Sequence, residues 1–471
     1  GGDVTLRSEG SPTGHVAENP VTDDIRVTVT GDYHEGWAAF FESRTDSQIV
    51  DRGENSVTVL LRTELHGDGV RYSMGSLGTS EFDLKSIGSL TADSYDSGNE
   101  TDPLKSRDNA VIAGGGKIDA PNGKGNTPTY VAIKGDLRSR YDISPNPNGL
   151  RNGKHPINVT GNITQRADID DPDPVDGYLV SAVEKYDSRY GDATATDYES
   201  WADVAADAPI ASRSNVKEGL EVDGGDETYA VEDAEIVADE ESDGSTDGDL
   251  SVEEGRATLE ARGDHAGFRF DDAEISEGEL VLDVTDGDLD LRLDGELSVS
   301  GEGSNPGRIR VVGDGNVRLY VDGELSIGDH SEVIVDEDAE LRVFHDDPDG
   351  EIEIGDGDDG NGVTVTTGEN DPADSFWLFS NAEELDLDAE DAPIDVTGVV
   401  YAPNAKVDDI EGDITIRGAL TVEEFGDLED AQFTMRYDEA LETAEVFDEI
   451  DEVPTINYLH VSTQEIHIEG D

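Results

Sequence analysis

The sequence predicts a mainly β protein. Its C-terminal part is expected to be a right-handed parallel β-helix (a solenoid), preceded by a small α/β N-terminal domain and a β-rich middle. One observation is a repeated unit, an acidic–glycine turn followed by an alternating strand, that begins at residues 277, 294, 322 and 349. Another is the glycine-punctuated alternation "GVVYAPNAKVDDIEGDITIRGALTVEEF" at 398–425. Repeats of roughly 20–50 residues are typical of solenoids, and these intervals are shorter than a propeller blade.

Changes in composition and pattern divide the 471 residues into five segments. They are a small α/β segment at 1–65, a loop-rich β domain and possible second solenoid at 66–217, an acidic connection at 218–255, the β-solenoid domain at 256–441, and a helix with a C-terminal strand at 442–471.

The first segment has the pattern strand, helix, strand. Apolar and polar residues alternate at 25–30 and again at 56–63. Between them, residues 33–44 place Trp37 and Phe41 four apart, together with other aromatic residues at helical spacing. We therefore expect a helix that packs its aromatic stripe on a small sheet.

The middle of the chain has short strand-like runs between turns rich in Gly, Asn and Pro. A short helix is predicted over 197–208. The match between "PINVTG" at 156–161 and "PIDVTG" at 393–398 leaves a second solenoid open. Residues 218–255 read as a solvated acidic connection holding one or two strands.

Within the predicted solenoid, apolar side chains are expected to point inward and the acidic ones outward, because successive residues of a strand face opposite sides. The residues of 398–425 that we assign to the interior are Val399, Val400, Ile414, Ile416, Leu420 and Val422.

The end of the chain predicts a helix over 437–450 and β structure over 456–471. An exposed sheet edge must be covered, so the tail either caps its own solenoid or adds a strand to the sheet of a neighbouring chain. The tail residues expected to take part in assembly are Tyr458, Leu459, Val461, Ile466 and Ile468.

The charge is extreme, with 112 acidic against 32 basic residues and a formal net charge of −80. At molar ionic strength the Debye length is about 3 Å, so such a surface hardly repels itself in brine and repels itself strongly in dilute buffer. We expect a halophilic protein that loses structure in dilute buffer. Nucleic acid and anionic membranes are disfavoured as partners, and no apolar run is long enough for a direct membrane span.

Motifs for chemistry are scarce. The chain has no cysteine, its nine histidines are scattered, and no G-x-S-x-G, HExxH or phosphate-binding loop occurs. We expect no enzymatic activity and no cofactor, with Ca²⁺ the one exception considered. Carboxylates around glycines at 346–362 are hard oxygen ligands of the kind Ca²⁺ prefers, although their order matches neither the EF-hand loop nor the nonapeptide repeat of calcium-binding β-rolls. They are Asp347, Asp349, Asp356, Asp358 and Asp359.

Three acceptor sites for N-glycosylation follow the pattern Asn-x-Ser/Thr: Asn99, Asn158 and Asn162. Because Asn158 and Asn162 are four residues apart, we expect them on one face of a strand.

The residues at 397–441 resemble a C-terminal domain of prokaryotic type IV pilin-like and pilus-assembly proteins. The resemblance rests on the "YAPNA" turn at 401–405, the Gly412–Ala419 strand pair and "YDEAL" at 437–441. Segments 27–46 and 456–466 are similar to haloarchaeal pilin-like or archaellin-like surface proteins. The resemblance implies an exported surface protein without enzymatic function. Such proteins usually begin with an apolar helix, which "GGDVTLRSEG" is not, so assembly is expected to use the β-rich body or the tail.

The leading hypothesis is therefore an extracellular, cell-surface structural protein of a halophile. It would be a subunit of, or a decoration on, a pilus-like filament, with self-association or other filament subunits as partners. A monomeric surface adhesin that binds glycan or another cell is the first alternative, and a solenoid carbohydrate-active enzyme is the second.

Overall fold

A computed structural model describes most of the chain between residues 72 and 444 and a few strands outside it. The described residues are 5–8, 23–30, 39–41, 49–53, 56–63, 72–99, 104–121, 130–145, 157–169, 175–190, 195–198, 200–204, 210–238, 248–355, 362–426, 428, 431–442, 444 and 461–463. The chain divides into two units, one of residues 1–68 with 445–471 and one of residues 69–444.

The first unit contains short strands with antiparallel pairings. Residues 39–41, predicted as helix, form a strand instead, which pairs with the tail strand so that Phe41 lies opposite Val461. Long-range pairing here overrides the helical spacing of the aromatic residues. The strands are β1 Thr5–Ser8, β2 Asp23–Thr30, β3 Ala39–Phe41, β4 Ile49–Gly53, β5 Ser56–Thr63 and, at the other end of the chain, β33 Val461–Thr463.

The second unit is mainly β and contains one large parallel sheet of 24 strands. Its first strands are β6 Met74–Ser76, β7 Phe82–Asp83, β8 Ser89–Tyr95, β9 Ala110–Gly114, β10 Ile118–Asp119, β11 Tyr130–Ile133, β12 Gly135–Ser139, β13 Ile143–Ser144, β14 Ile157–Val159, β15 Ile163–Gln165, β16 Thr196–Tyr198 and β17 Ser214–Val216.

The remaining strands run almost without interruption to the end of the unit, with the 3-10 helices η1 Ala373–Ser375 and η2 Glu439–Glu442 among them. They are β18 Leu220–Ala238, β19 Leu250–Phe270, β20 Ala273–Ser276, β21 Glu279–Leu293, β22 Leu297–Ser300, β23 Gly307–Gly313, β24 Asn316–Val321, β25 Leu325–Ile327, β26 Ser331–Val335, β27 Glu340–His345, β28 Glu351–Ile354, β29 Val363–Thr367, β30 Phe376–Ser380, β31 Glu384–Phe425 and β32 Gln432–Asp438.

Parallel pairing between β20 and β31 follows three ladders. Ladder 1 joins the first half of β21 to β23, β26, β29 and then β31. Ladder 2 joins β20, β22, β25, β28 and β31. Ladder 3 joins the second half of β21 to β24, β27, β30 and β31. Successive turns of the chain therefore stack on one another.

The repeats seen in the sequence belong mostly to ladder 2. Leu297 pairs with Leu325, and Leu325 with Ile352, so the repeats that begin at 294, 322 and 349 are in register. The glycines of the first two of these repeats stack as well, since a Cβ on Gly323 would lie 2.8 Å from the backbone of Gly295. The unit that begins at 277 was wrongly grouped with them, since its strand belongs to ladder 1.

The N-terminal strands of this unit extend the same sheet. In ladder 1, Phe433 of β32 pairs with Leu90 of β8. In ladder 3, Leu420 of β31 pairs with Met74 of β6. We call this junction the seam, made by β6 and β8 on one side and β31 and β32 on the other. Beyond it, ladder 1 continues through β11 and β14, and ladder 3 through β9, β12 and β15.

A helix that we did not predict connects the two parts of the array. This helix, α1 (Asp176–Tyr190), packs against ladder 3, with the ring of Tyr178 4.8 Å from that of Phe379. A second helix, α2 (Trp201–Val204), lies inside the predicted 197–208. Residues 197 and 198 of that range belong to β16, so that prediction is correct only in part.

Two further expectations need correction. The predicted acidic connection at 218–255 largely joins the sheet, because β18 pairs along its length with β19. The predicted helix over 437–450 is, in the described part, the end of β32 followed by η2.

The main core of the unit is one large cluster in which buried Leu, Ile, Val, Ala and Phe side chains predominate, and a small second cluster contains Leu77, Ala113 and Ile169. All six residues assigned to the interior from 398–425 are buried. Val400 belongs to the main cluster, but Val399 does not. Val399 pairs with Trp377 and points to the opposite face of the strand from Val400, because consecutive strand residues point to opposite sides. Its assignment to the interior is therefore wrong, although its side chain is buried.

Candidate functional site

A polar groove lies on the outer face of ladder 1 at the seam, with a volume of about 510 Å³. Its walls come from five short stretches of the sequence that lie on neighbouring strands of the sheet. The lining residues are Ser89, Gly362, Thr364, Pro393, Ile394, Asp395, Asp413, Thr415, Gln432 and Thr434.

Strand register arranges these side chains in two columns. In the first, Thr415 pairs with Thr434, which pairs with Thr91. In the second, Asp413 pairs with Gln432, which pairs with Ser89. Directly paired residues of parallel strands point to the same face, so each column presents a line of polar groups to solvent.

The second column continues to an aromatic residue. Ser89 pairs with Tyr130 at the start of β11, and Tyr130 is 54% exposed. Val131, its neighbour in the chain, is buried in the core. Tyr130 therefore stands on the same outer face, one strand beyond the groove.

The groove offers free hydrogen-bonding capacity. Within the described part of the chain, the side chains of Asp413, Thr415, Gln432 and Thr434 form no hydrogen bond or ion pair. Asp395 differs, because it pairs closely with Arg417. The groove thus combines a neutralised carboxylate with hydroxyl, amide and carboxylate groups that have no partner among the described residues and that solvent or a ligand can reach.

A second polar cluster holds the seam together. Asp438 is fully buried and accepts hydrogen bonds from the backbone amides of Ser97, Ala373 and Ala440 at 3.0, 3.2 and 3.1 Å. The hydroxyl of Ser97 donates to the same carboxylate at 2.6 Å. Such a carboxylate stabilises the junction because it satisfies several buried donors at once.

Charged pairs across the seam add to this cluster. Arg436 lies 3.1 Å from Asp93, and Arg107 lies 2.9 Å from Glu439. The hydroxyl of Tyr95 donates to a backbone carbonyl at 2.6 Å. Burial, reinforced by nearby carboxylates, raises the pKa of Tyr95 far above its usual value, so this group remains a neutral donor.

The contact between α1 and the sheet buries a third cluster. The hydroxyl of Tyr186 donates to Glu235 at 2.6 Å, and that of Tyr190 to Asp290 at 2.9 Å. Arg189 lies 2.8 Å from Asp290, which has no exposed side-chain surface. Burial, together with the charge of Glu235, raises the pKa of Tyr186. This cluster fixes the helix on the sheet, and most of its side-chain surface is buried.

One histidine–serine pair has the spacing of a nucleophile and its base. Nδ1 of His345 lies 2.8 Å from the Ser380 hydroxyl, and Nε2 lies 2.8 Å from the carbonyl of Gly323. Since a carbonyl only accepts, Nε2 carries the proton and Nδ1 accepts from Ser380. Burial lowers the pKa of His345. Both side chains are fully buried, so no substrate can reach them and the pair is structural.

Carboxylates gather on the outer face of ladder 2. Asp386 pairs with Glu353, which pairs with Ser326. The pKa of Asp386 is raised to about 6. Partial burial is the largest cause, and repulsion from the carboxylates of Asp388 and Glu351 adds to it. The described residues contain no group of three or more side chains placed to hold a metal ion.

The structure separates the predicted glycosylation sites. Asn158 lies in β14 and Asn162 just before β15, with a bend at Thr160 and Gly161 between them, so the expectation of one strand face is wrong. Both are exposed, although the amide of Asn162 approaches Asp136 at 3.4 Å. Asn99 is half-buried in a turn.

The predicted calcium residues are described only in part. Asp347 and Asp349 lie in the turn before β28, where the Asp349 amide donates to Asp347 at 3.0 Å. Asp356, Asp358 and Asp359 lie outside the described residues.

Of the predicted assembly residues, Val461 lies in β33. The other four are outside the described part of the chain, namely Tyr458, Leu459, Ile466 and Ile468. Among the described residues, no helix is both long and apolar enough to cross a membrane.

The chain is similar to one protein family. The family model described as a domain of unknown function (DUF7305) matches residues 214–363 and 355–444, which together span just under half of the chain. The match covers the array from β17 to η2 and stops at the seam. No curated protein and no solved structure matches the chain.

The sequence did not single out the groove. Its residues are ordinary strand residues with no shared motif, and the seam brings Ser89 beside Gln432 across more than three hundred residues. The available signal was limited to neutral polar residues, Thr415 and Thr434, at outward positions of a chain whose surface is otherwise acidic.

Proposed function

We propose that this protein is an extracellular structural protein of a salt-adapted cell, a subunit of or a decoration on a pilus-like surface filament. Residues 72–444 form its right-handed parallel β-helix. The observation that carries the proposal is the seam, where Leu90 and Phe433 pair in register and the N-terminal strands continue the C-terminal array. Such a body is suited to rigidity and display.

The ladders support the β-helix. Three parallel ladders enclose one apolar cluster, and each turn of the chain adds a strand to each ladder between β20 and β31. Within β31 the turns also stack: a Cβ on Gly418 would lie 1.9 Å from the carbonyl oxygen of Gly398, so the backbones touch where φ of Gly418 is +135°. Only glycine tolerates both conditions.

The surface charge supports a saline setting. The chain carries a formal net charge of −80, and in its described part most acidic side chains lie at outward strand positions and in turns, while the main core cluster is apolar. At molar salt this charge keeps the body soluble with little self-repulsion. We expect circular dichroism to show loss of β structure when molar KCl is replaced by millimolar KCl. An unchanged spectrum would remove the proposal of salt adaptation.

The tail provides a route to assembly. In this chain Val461 pairs with Phe41 of the same unit. If β33 pairs instead with β3 of a neighbouring chain, the same contact links subunits, as in strand donation. The glycosylation sites Asn158 and Asn162 are exposed, and modification there would shield one end of ladders 1 and 3. The calcium site stays a proposal, testable by calorimetric titration with Ca²⁺ in high salt.

Electron microscopy of the purified protein in molar KCl tests the central proposal. We expect filaments or ordered oligomers with the full chain, and monomers with intact circular dichroism when residues 456–471 are deleted. A full-length protein that stays strictly monomeric at high concentration would contradict the filament. Loss of folding on deletion would identify the tail as a cap of its own chain.

A further inference from the structure

We propose that the groove on ladder 1 binds a neutral, hydroxyl-rich glycan chain, with Tyr130 as a stacking platform at one end. This function is separate from assembly of the body into a filament. It rests on the shape of the groove, the free polar groups in it, the position of Tyr130 and the local charge.

The shape fits an extended chain rather than a compact ligand. The groove follows neighbouring parallel strands, from Thr364 through Thr415 and Thr434 towards Ser89. Adjacent strands are about 4.8 Å apart, so its polar groups recur at that interval. This interval is close to the length of one pyranose unit. Each strand can therefore form hydrogen bonds with one sugar residue of an extended chain.

The chemistry fits hydroxyl groups. The hydroxyls of Thr415 and Thr434 and the amide of Gln432 both donate and accept, and the carboxylate of Asp413 accepts. None of them has a partner within the described part of the chain. A sugar hydroxyl also donates and accepts, and a buried polar group of a ligand needs such matched partners. An apolar ligand would leave all four groups desolvated and unpaired.

Tyr130 supplies the apolar contact that a sugar ring needs. It lies one strand beyond Ser89 in the column of Gln432, and more than half of its surface is exposed. An exposed aromatic ring beside polar groups is a common arrangement at small-molecule sites, where the ring gives contact area and the polar groups fix orientation.

The charge of the groove disfavours anionic glycans. Asp413 carries an uncompensated carboxylate in the groove, and Arg417 is already paired with Asp395 and lies 3.7 Å from Asp371. A uronic acid or sulfated chain would meet repulsion here and from the chain as a whole. Molar salt weakens charge effects, while hydrogen bonding and stacking persist.

The test uses the full-length protein in molar KCl and a panel of immobilised oligosaccharides: β-1,4-glucan, β-1,4-mannan, α-1,4-glucan and, as the anionic comparison, polygalacturonate. The variants are Tyr130→Ala and Thr434→Val, which preserves side-chain size. The matched control is Tyr141→Ala, because Tyr141 is 50% exposed and lies outside the groove. Circular dichroism and filament formation are recorded for every variant.

We expect binding to at least one neutral glycan. Tyr130→Ala should weaken it about ten-fold and Thr434→Val about five-fold, as for residues that carry much of an interface. Tyr141→Ala should leave it unchanged. Absence of binding across the panel, binding to polygalacturonate alone, or equal binding by all variants would overturn the proposal. Because assembly is measured separately, failure of glycan binding and failure of the filament proposal can be told apart.

Discussion

The parallel array has a C-terminal part, β20 to β31, and an N-terminal part, β6 to β15. In both parts equivalent strand residues pair directly, but the sequences that produce this register differ. From β20 to β31, turns of similar length repeat an acidic–glycine motif, and equivalent leucines such as Leu297 and Leu325 pair directly. From β6 to β15, the strands are two to seven residues long and share no motif, yet Leu90 and Val131 continue the column of Phe433. Stacking on an existing turn is therefore enough to set register, and sequence repetition is not required.

The parts also differ in their neighbours. The strands at the seam are paired on both sides, and the buried Asp438 ties them together. Among the described residues, β14 and β15 are paired on one side only, and Ile163 of β15 is only partly buried. In a stacked array, stability is roughly a sum of each unit and its interfaces. Substitutions at the seam should therefore reduce the free energy of unfolding most, and substitutions at the end of the array, in β14 and β15, should reduce it least.

Substitution at the seam should have the largest effect. Asp438→Ala removes the acceptor of four hydrogen bonds and leaves buried amides unpaired, so we expect a loss of about 4 kcal/mol in unfolding free energy. Asp413 has an exposed carboxylate without a partner on the adjoining strand. Asp413→Ala should therefore lower the free energy of unfolding by less than about 0.5 kcal/mol. Chemical denaturation in molar KCl measures both. A similar loss for the two variants would show that the seam has no special role.

Core truncation compares the regions directly. Leu291 is fully buried in the C-terminal part of the array, so Leu291→Ala should lower the free energy of unfolding by about 3 kcal/mol. Ile163→Ala, at the end of the array, should cost about 1 kcal/mol because its site is partly open to solvent. Calorimetric melting of the two variants gives the difference. Equal losses would contradict the gradient in stability between the two regions.

A smaller effect is expected on ladder 2. Asp386 has a pKa of about 6 in the folded protein against 3.8 ordinarily, so between these values the folded chain binds more protons than the unfolded chain. Stability is thus lost as the pH rises through this window. Asp386→Asn should raise the melting temperature at pH 7 and have no effect below pH 4. The gain should be small, since the side chain is partly solvated.

Asp413→Asn is the control for that experiment. It replaces an exposed carboxylate without a charged partner, so its melting temperature should follow the parent protein across the same pH range. If both variants shift alike, the effect comes from net charge and not from the local carboxylates around Asp386.

The parts of the fold that could be predicted from the sequence are those in which the residue pattern repeats, either every second residue or from one repeat unit to the next. Alternation identified Ile414 and Ile416 as buried, and the repeats at 294, 322 and 349 correspond to stacked turns. It did not reveal α1, whose buried side chains on ladder 3 are mostly tyrosines, together with Leu179 and Ala182. The helix predicted at 33–44 was wrong over its described residues, because pairing with a distant strand decided the conformation there.

The groove could not be predicted for a related reason. It exists only because the seam places Ser89 beside Gln432, and no local pattern encodes a pairing between residues so far apart. Tyr130 likewise gains its position from the register of β11 on β8. Local periodicity specifies which face of a strand is buried, whereas long-range register decides which exposed residues become neighbours.

The most direct test of the seam is thiol cross-linking, since the chain has no native cysteine. Thr91 and Thr434 are direct partners across the seam, so the double variant Thr91→Cys with Thr434→Cys should react with dibromobimane to give an intramolecular fluorescent link. The pair Ala132→Cys with Thr434→Cys is two strands apart, about 10 Å, and should not link. A single continuous array predicts a link only in the first pair. No link in that pair, or equal links in both, would contradict it.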